Sequence, residues 1–252
     1  MSQFLSLKQE FYKLFYATAL HQNPQEVFAD FVKTSAIAIH NSGAFCKDRE
    51  ERYFTIIEKY SDEDKQNLCR MLSQLILMLQ EKPYDVLGEA MSELGLTNDK
   101  AGQFFTPFAV SAMCVKIGFD EEQVERKAFV TVSDPASGTG GMLLAFVGEL
   151  IQRGYDPAEK VFCEAVDIDE VVALCAYLQL SLWNVPSRIV IGNSLSMEYR
   201  ESWYTPAVYW FDWERKLRMR RIIDAMKSLF DTSSQILKSA DVVVDQGQLK
   251  LF

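Results

Sequence analysis

An apolar burst of strand length, Ala128-Phe129-Val130-Thr131-Val132-Ser133-Asp134, runs into Pro135-Ala136-Ser137-Gly138-Thr139-Gly140-Gly141 and then into a helical stretch over 141–153. Glycines at such a junction let the backbone turn tightly and approach a ligand closely, and the helix that follows offers unpaired N–H groups. Alone, this turn suits a phosphate, a dinucleotide or no ligand. Two later bursts end in polar residues that narrow the choice. Val166-Asp167-Ile168-Asp169 places a carboxylate where the vicinal hydroxyls of a ribose would donate two hydrogen bonds, and Gly192-Asn193-Ser194-Leu195 places an amide able to read an adenine edge. No Lys-Ser/Thr pair follows the glycines, which argues against a nucleoside triphosphate.

These residues need a sheet to bring them together. Strand-length runs at 128–134, 161–167 and 187–193 alternate with helical stretches at 141–153 and 169–183, the order of a parallel sheet in an α/β fold. Upstream, apolar residues recur at three- and four-residue spacing (Phe11, Leu14, Phe15; Phe28, Phe31, Val32; Leu68, Leu72, Leu75, Leu79), so residues 1–84 are expected to form a helical domain. The stripe of Phe4, Phe11, Tyr12, Phe15 and Tyr16 then reads as core. Residues 85–197 form the expected Rossmann-like core, 198–241 an aromatic and basic segment with a helix from about 214 to 230, and 242–252 a tail.

Taken together, the segments resemble the N6-adenine DNA methyltransferases, in particular the modification subunits of type I restriction-modification systems. Gly102-Gln103-Phe104-Phe105-Thr106-Pro107 matches their GQFxTP segment, which the resemblance places over the methionine end of S-adenosylmethionine. Asp134-Pro135-Ala136-Ser137-Gly138-Thr139-Gly140 matches their DPxxGxG turn, Asp167 the acidic position used for the ribose, and Asn193 the position facing the adenine. The resemblance covers about residues 85–195 and implies a class I methyltransferase fold, S-adenosylmethionine as cofactor and DNA as substrate.

The family's catalytic turn, Asn/Asp-Pro-Pro-Tyr/Phe, is not found: the seven prolines include no adjacent pair. Two places stand nearest to it, Tyr204-Thr205-Pro206 with the aromatics that follow, and the strand-like burst Ala240-Asp241-Val242-Val243-Val244-Asp245. The catalytic residues therefore stay unassigned. A non-catalytic adaptor that keeps the cofactor domain and docks on the replication sliding clamp or a methyltransferase partner is the competing reading, and methylation of RNA or protein would suit the same core.

Arg215, Lys216, Arg218, Arg220 and Arg221 fall within eight residues of one expected helix, suited either to DNA phosphates or to local acids. The C-terminal Gln248-Leu249-Lys250-Leu251-Phe252 resembles the peptide by which bacterial polymerases and repair proteins dock on the replication sliding clamp, through Gln248, Leu249, Leu251 and Phe252; an edge strand is the alternative.

Composition sets the outer limits. With 26 Lys and Arg against 35 Asp and Glu the net charge is −9, so any DNA contact must be local rather than a general attraction. Five scattered cysteines without a C-x-x-C pair read as reduced core thiols. Two histidines, His21 and His40, are expected on helix surfaces and too few for a metal site. No signal-peptide pattern opens the chain and no apolar run reaches the ~20 residues of a membrane span, so a soluble, cytoplasmic protein is expected, with a homo- or hetero-oligomer open.

Overall fold

The computed structural model describes residues 3–97 and 105–247, with side chains as far as residue 230. Its elements are α1 (Gln3–Ala17), α2 (Pro24–Gly43), α3 (Lys47–Ile57), α4 (Asp62–Glu81), α5 (Val86–Glu93), α6 (Phe108–Gly118), α7 (Glu121–Arg126), β1 (Val130–Asp134), α8 (Gly141–Gln152), α9 (Pro157–Lys160), β2 (Val161–Asp167), α10 (Glu170–Leu182), β3 (Ser187–Asn193), β4 (Glu198–Tyr204), α11 (Pro206–Trp210) and α12 (Trp213–Gly247). They fall into two compact units, Met1–Phe211 and Asp212–Phe252.

In the first unit the strands lie in the order β1-β2-β3-β4. β1, β2 and β3 are parallel, joined by the helical crossovers α8 and α10, as the alternation of apolar bursts and helical stretches requires. β4 lies in the segment from 198 for which no strand was expected. It turns back from β3 and pairs antiparallel with it, through a bulge at Ile191/Gly192.

α10 is apolar around its whole circumference and is buried accordingly: every residue from Val172 to Leu180 is inaccessible or nearly so. One side packs on β2 and β3, the other on α2. Each fully buried leucine there contributes roughly 1.5–3 kcal/mol. The helices over 1–84 thus share a core with the sheet. Phe11 and Phe15 of the aromatic stripe enter that core, Phe4 and Tyr12 pack against it, and Tyr16 is exposed. α4 starts on a reciprocal cap between Ser61 and Asp64, and Asp64 also accepts from the Ala19 backbone (2.8 Å), tying the α1–α2 connection to α4.

Three expectations are corrected. His40 is buried, not on a surface: its ring lies edge-on to Trp203 at 5.5 Å, and burial together with the Arg49 charge lowers its pKa. His21 sits in an exposed turn rather than on a helix. Of the five cysteines only Cys163 and Cys175 are core; Cys69 and Cys114 are exposed and Cys46 is half-buried. Finally, the strand-like burst after Ala240 belongs to a helix. α12 runs from Trp213 to Gly247 and takes in the residues after Ala240. Among the described residues no helix is long and apolar enough to cross a membrane.

Candidate functional site

The turn after β1 is fixed from both ends. Asp134 Oδ1 accepts from the Ala136 N–H (3.1 Å), and the Ser137 N–H donates to the Val166 carbonyl of β2 (2.9 Å). Gly140, the residue that opens α8, has φ +92°, and a Cβ there would lie 3.1 Å from the Cβ of Ala176. The left-handed backbone and the close passage of α10 both require glycine. Gly140 is therefore a packing residue behind the turn.

A buried polar network that no sequence spacing announces holds this turn against two other elements. Asp85, the N-cap of α5, accepts from Gly88 N–H (2.9 Å), from Thr139 Oγ1 (2.6 Å) and from Gln179 Nε2 (2.9 Å). Gln179 also donates to the Thr139 carbonyl (2.9 Å) and accepts from the Leu87 N–H (3.1 Å). Burial raises the Asp85 pKa while the three donors oppose the shift. Gly88 is required by closeness alone, since a Cβ there would meet Asp85 Oδ2 at 2.3 Å and Thr139 Oγ1 at 2.4 Å. The only signal in the sequence was Asp85 itself, as a helix-opening residue.

Asp167, at the end of β2, turns its carboxylate to the same place. Oδ2 accepts from the Gly138 N–H and Oδ1 from the Asp169 N–H, each at 2.9 Å. Burial pushes the Asp167 pKa up, the two N–H bonds pull it down, and the Asp169 and Asp134 charges push it up again. Each oxygen keeps lone pairs for a further donor. Asn193, at the end of β3, is differently engaged: its Oδ1 accepts from the Leu195 N–H (2.9 Å) and Ser196 N–H (3.3 Å), closing its own turn and leaving Nδ2 as the group on offer.

Beneath Phe105 lies a cavity of about 80 Å³, lined by Phe105, Thr106, Ser111, Asp134, Ala136, Ser137, Gly138 and Thr139 among others, and adjoining one of about 300 Å³ that Tyr84, Asp85, Phe105, Thr106, Pro107 and Phe108 line. The Phe105 ring is 3.4 Å from where a Cβ on Gly138 would stand. Ser111 Oγ is fully buried and has no hydrogen-bond partner among the described residues. Carboxylates at the ends of β1 and β2 make this an acidic site, suited to a ligand with hydroxyls and positive charge rather than to a pyrophosphate.

The fold thus brings Phe105, Thr106, Asp134, Ala136 and Gly138 to one cavity and joins Asp167 to Gly138, while Pro107 lines the larger space, Pro135 is exposed and Asn193 lies in the next turn. Gly102, Gln103 and Phe104 lie outside the described residues, as do Gln248, Leu249, Leu251 and Phe252 of the tail. Of the two places considered for the catalytic turn, Pro206 is buried at the start of α11 and 240–247 is helical. The basic cluster lies on α12, where Arg215 pairs with Asp212 (2.6 Å) and Arg220 with Asp224 (3.8 Å), while Arg218 and Arg221 are exposed.

Comparison with known proteins gives the family. No curated protein matches the sequence. Among solved structures, the chain is similar to a class I S-adenosylmethionine-dependent methyltransferase from Listeria monocytogenes, at 16% identity and a TM-score of 0.40 over 75% of this chain and 54% of that one. It is also similar to the methyltransferase subunit of a type I restriction-modification system from Streptococcus thermophilus, at 22% identity and a TM-score of 0.35 over 65% of this chain and 38% of the other. The chain therefore spans about half or less of their length. The model of the N-6 DNA methylase family matches residues 84–209, half of the chain and the whole of the site just described. The chain belongs to the N-6 DNA methylase family, whose cofactor is S-adenosylmethionine.

Proposed function

We propose that this protein transfers a methyl group from S-adenosylmethionine to the N6 amine of adenine in DNA. The observation that carries the reading is the single cavity in which Phe105 and Thr106 meet Asp134 and the glycine turn, with the Asp167 carboxylate bonded to Gly138 at its edge. The residues present fit the cofactor. Asp167 retains acceptor positions for the two ribose hydroxyls, and the buried, unpaired Ser111 Oγ lines the space beneath Phe105. Asn193 Nδ2 can donate to an adenine ring nitrogen. The acidic surroundings favour a sulfonium and an ammonium. When bound, S-adenosylmethionine supplies an electrophilic methyl group; the protein supplies alignment and exclusion of water.

Exposed Arg218 and Arg221 are the groups we assign to DNA phosphates, and a local contact of this kind is what a chain of net charge −9 requires. The missing Pro-Pro turn favours a second reading, in which the chain binds cofactor without transfer and acts as an adaptor, docking on a sliding clamp through Gln248, Leu249, Leu251 and Phe252.

Transfer of radiolabelled methyl to single- and double-stranded DNA, beside calorimetry with S-adenosylmethionine, separates the two. Label recovered as N6-methyladenine, with binding and transfer both abolished by Asp167→Ala, is the expected result. Binding without transfer would establish the adaptor, and equal binding by wild type and Asp167→Ala would show the site to be misplaced.

A further inference from the structure

Two helices of the first unit are apolar on every side, and only one of them is covered. α10 is buried from Val172 to Leu180. α6 carries one charge, Lys116, in 11 residues, yet Ser111 is its only buried residue, and Val110, Met113 and Ile117 are 41%, 58% and 80% exposed. Their spacing of three and four residues puts them on one face. A helix of this composition is ordinarily packed all round.

The sheet stops at the same place. β1 is its first strand and pairs with β2 alone among the described strands; Thr131 and Ser133 are exposed, whereas β2 and β3 are almost wholly buried. In the helical layer α10 packs on β2 and β3, α8 on β1, and α6 on α8, with Ser111 of α6 lining the same cavity as Asp134, the last residue of β1. The helices thus continue one place past the last strand. Parallel strands are normally covered on both faces, and in doubly wound sheets the ligand crevice opens where the strand order reverses, with strands on either side of it. Here Asp134, Asp167 and Asn193 close β1, β2 and β3, all to one side of the crevice, and among the described residues no strand flanks the other.

The open edge specifies its occupant. The unpaired N–H and C=O groups of β1 are met by an extended backbone about 4.8 Å away, and the parallel order of β1, β2 and β3 sets its direction, which brings its C-terminal end beside Asp134. A second copy does not meet these terms. Two β1 edges related by a twofold axis run antiparallel, and this sequence has no adjacent prolines to contribute. We propose that the edge of β1 and the exposed face of α6 bind a strand of a different protein, parallel to β1, whose following turn is the Asn/Asp-Pro-Pro-aromatic sequence not found here. That turn would hold the amine of the base opposite the cofactor, a role that rests on the methyl-transfer reading above.

The test is photo-crosslinking in the cells that produce the protein, with benzoylphenylalanine at Thr131 or at Met113 of the full chain and mass spectrometry of the joined peptides. Both positions should join one other protein, through a peptide next to an Asn/Asp-Pro-Pro-aromatic turn. Met113→Glu with Ile117→Glu should cut the yield at Thr131 by about tenfold or more, while circular dichroism and S-adenosylmethionine affinity stay unchanged, because both side chains are exposed and outside the cofactor cavity. No joined protein, joining only to a second copy, or a partner without that turn would overturn the proposal. A partner that carries the turn and joins at both positions, but whose mixture with this chain leaves DNA unmethylated, would uphold the surface and overturn the methyl-transfer reading instead.

Discussion

The turn after β1 and the turn after β3, both assigned to the cofactor site in the function proposed above, are held in opposite ways. Residues 134–141 are fixed by partners from elsewhere: Val166 of β2, Asp85 of α5 and Gln179 of α10, the last two lying 54 and 40 positions from Thr139. Residues 193–196 are held by Asn193 itself, through bonds to N–H groups two and three positions on, and Leu195 there is 95% exposed. A turn built by tertiary contacts is preorganised and rigid; a turn built by its own side chain can reopen for little. The first therefore suits a part of the fold that must not move, and the second a part that can yield.

The comparison breaks most readily at Asp85. Asp85→Ala strips three buried donors of their acceptor, and should lower stability by about 3–4 kcal/mol, read by denaturant unfolding, with loss of cofactor binding in any fraction that stays folded.

A smaller effect is expected at the back of the first turn. Glu170, at the start of α10, pairs with Arg52 of α3 (2.6 Å) and Lys33 of α2 (3.0 Å), and so ties the helix that bears Gln179 to the N-terminal layer. Burial alone would raise the Glu170 pKa, but the two cations outweigh it and the net shift is downward. Glu170→Gln should cost about 1 kcal/mol, since both partners are partly solvated. A depressed carboxylate pKa gives stability that is present above the ordinary value of about 4.5 and lost as pH falls through the folded value. Unfolding curves of wild type and variant should accordingly differ at neutral pH and converge in acid; a gap that persists at low pH would point to packing instead.

At the small end, Asn193→Ala should change stability by only about 0.5–1 kcal/mol, because the bonds it loses are local and exposed. If the amide also reads the adenine, calorimetry should show a clear loss of S-adenosylmethionine affinity from a variant that remains as stable as that.

Much of this architecture was legible because local and global signals agree. β2 and β3 lie where apolar runs of strand length occur, α8 and α10 where those runs give way to helical spacing, and the glycine turn where one becomes the other. The same local reasoning misread 240–247, where three consecutive valines look like a strand but lie within the helix α12.

The sequence by itself determined the α/β order, the placing of Asp134, Asp167 and Asn193 at strand ends, and the glycine chemistry of the turn, because each depends on residues a few positions apart. The tertiary structure alone decided that β4 returns antiparallel to β3, that His40 is buried against Trp203, and that Asp85 and Gln179 clasp the turn. The last two depend on contacts between residues tens to hundreds of positions apart, such as the 94 that separate Asp85 from Gln179, and no periodicity along the chain records which distant groups a packed core will bring within hydrogen-bonding distance.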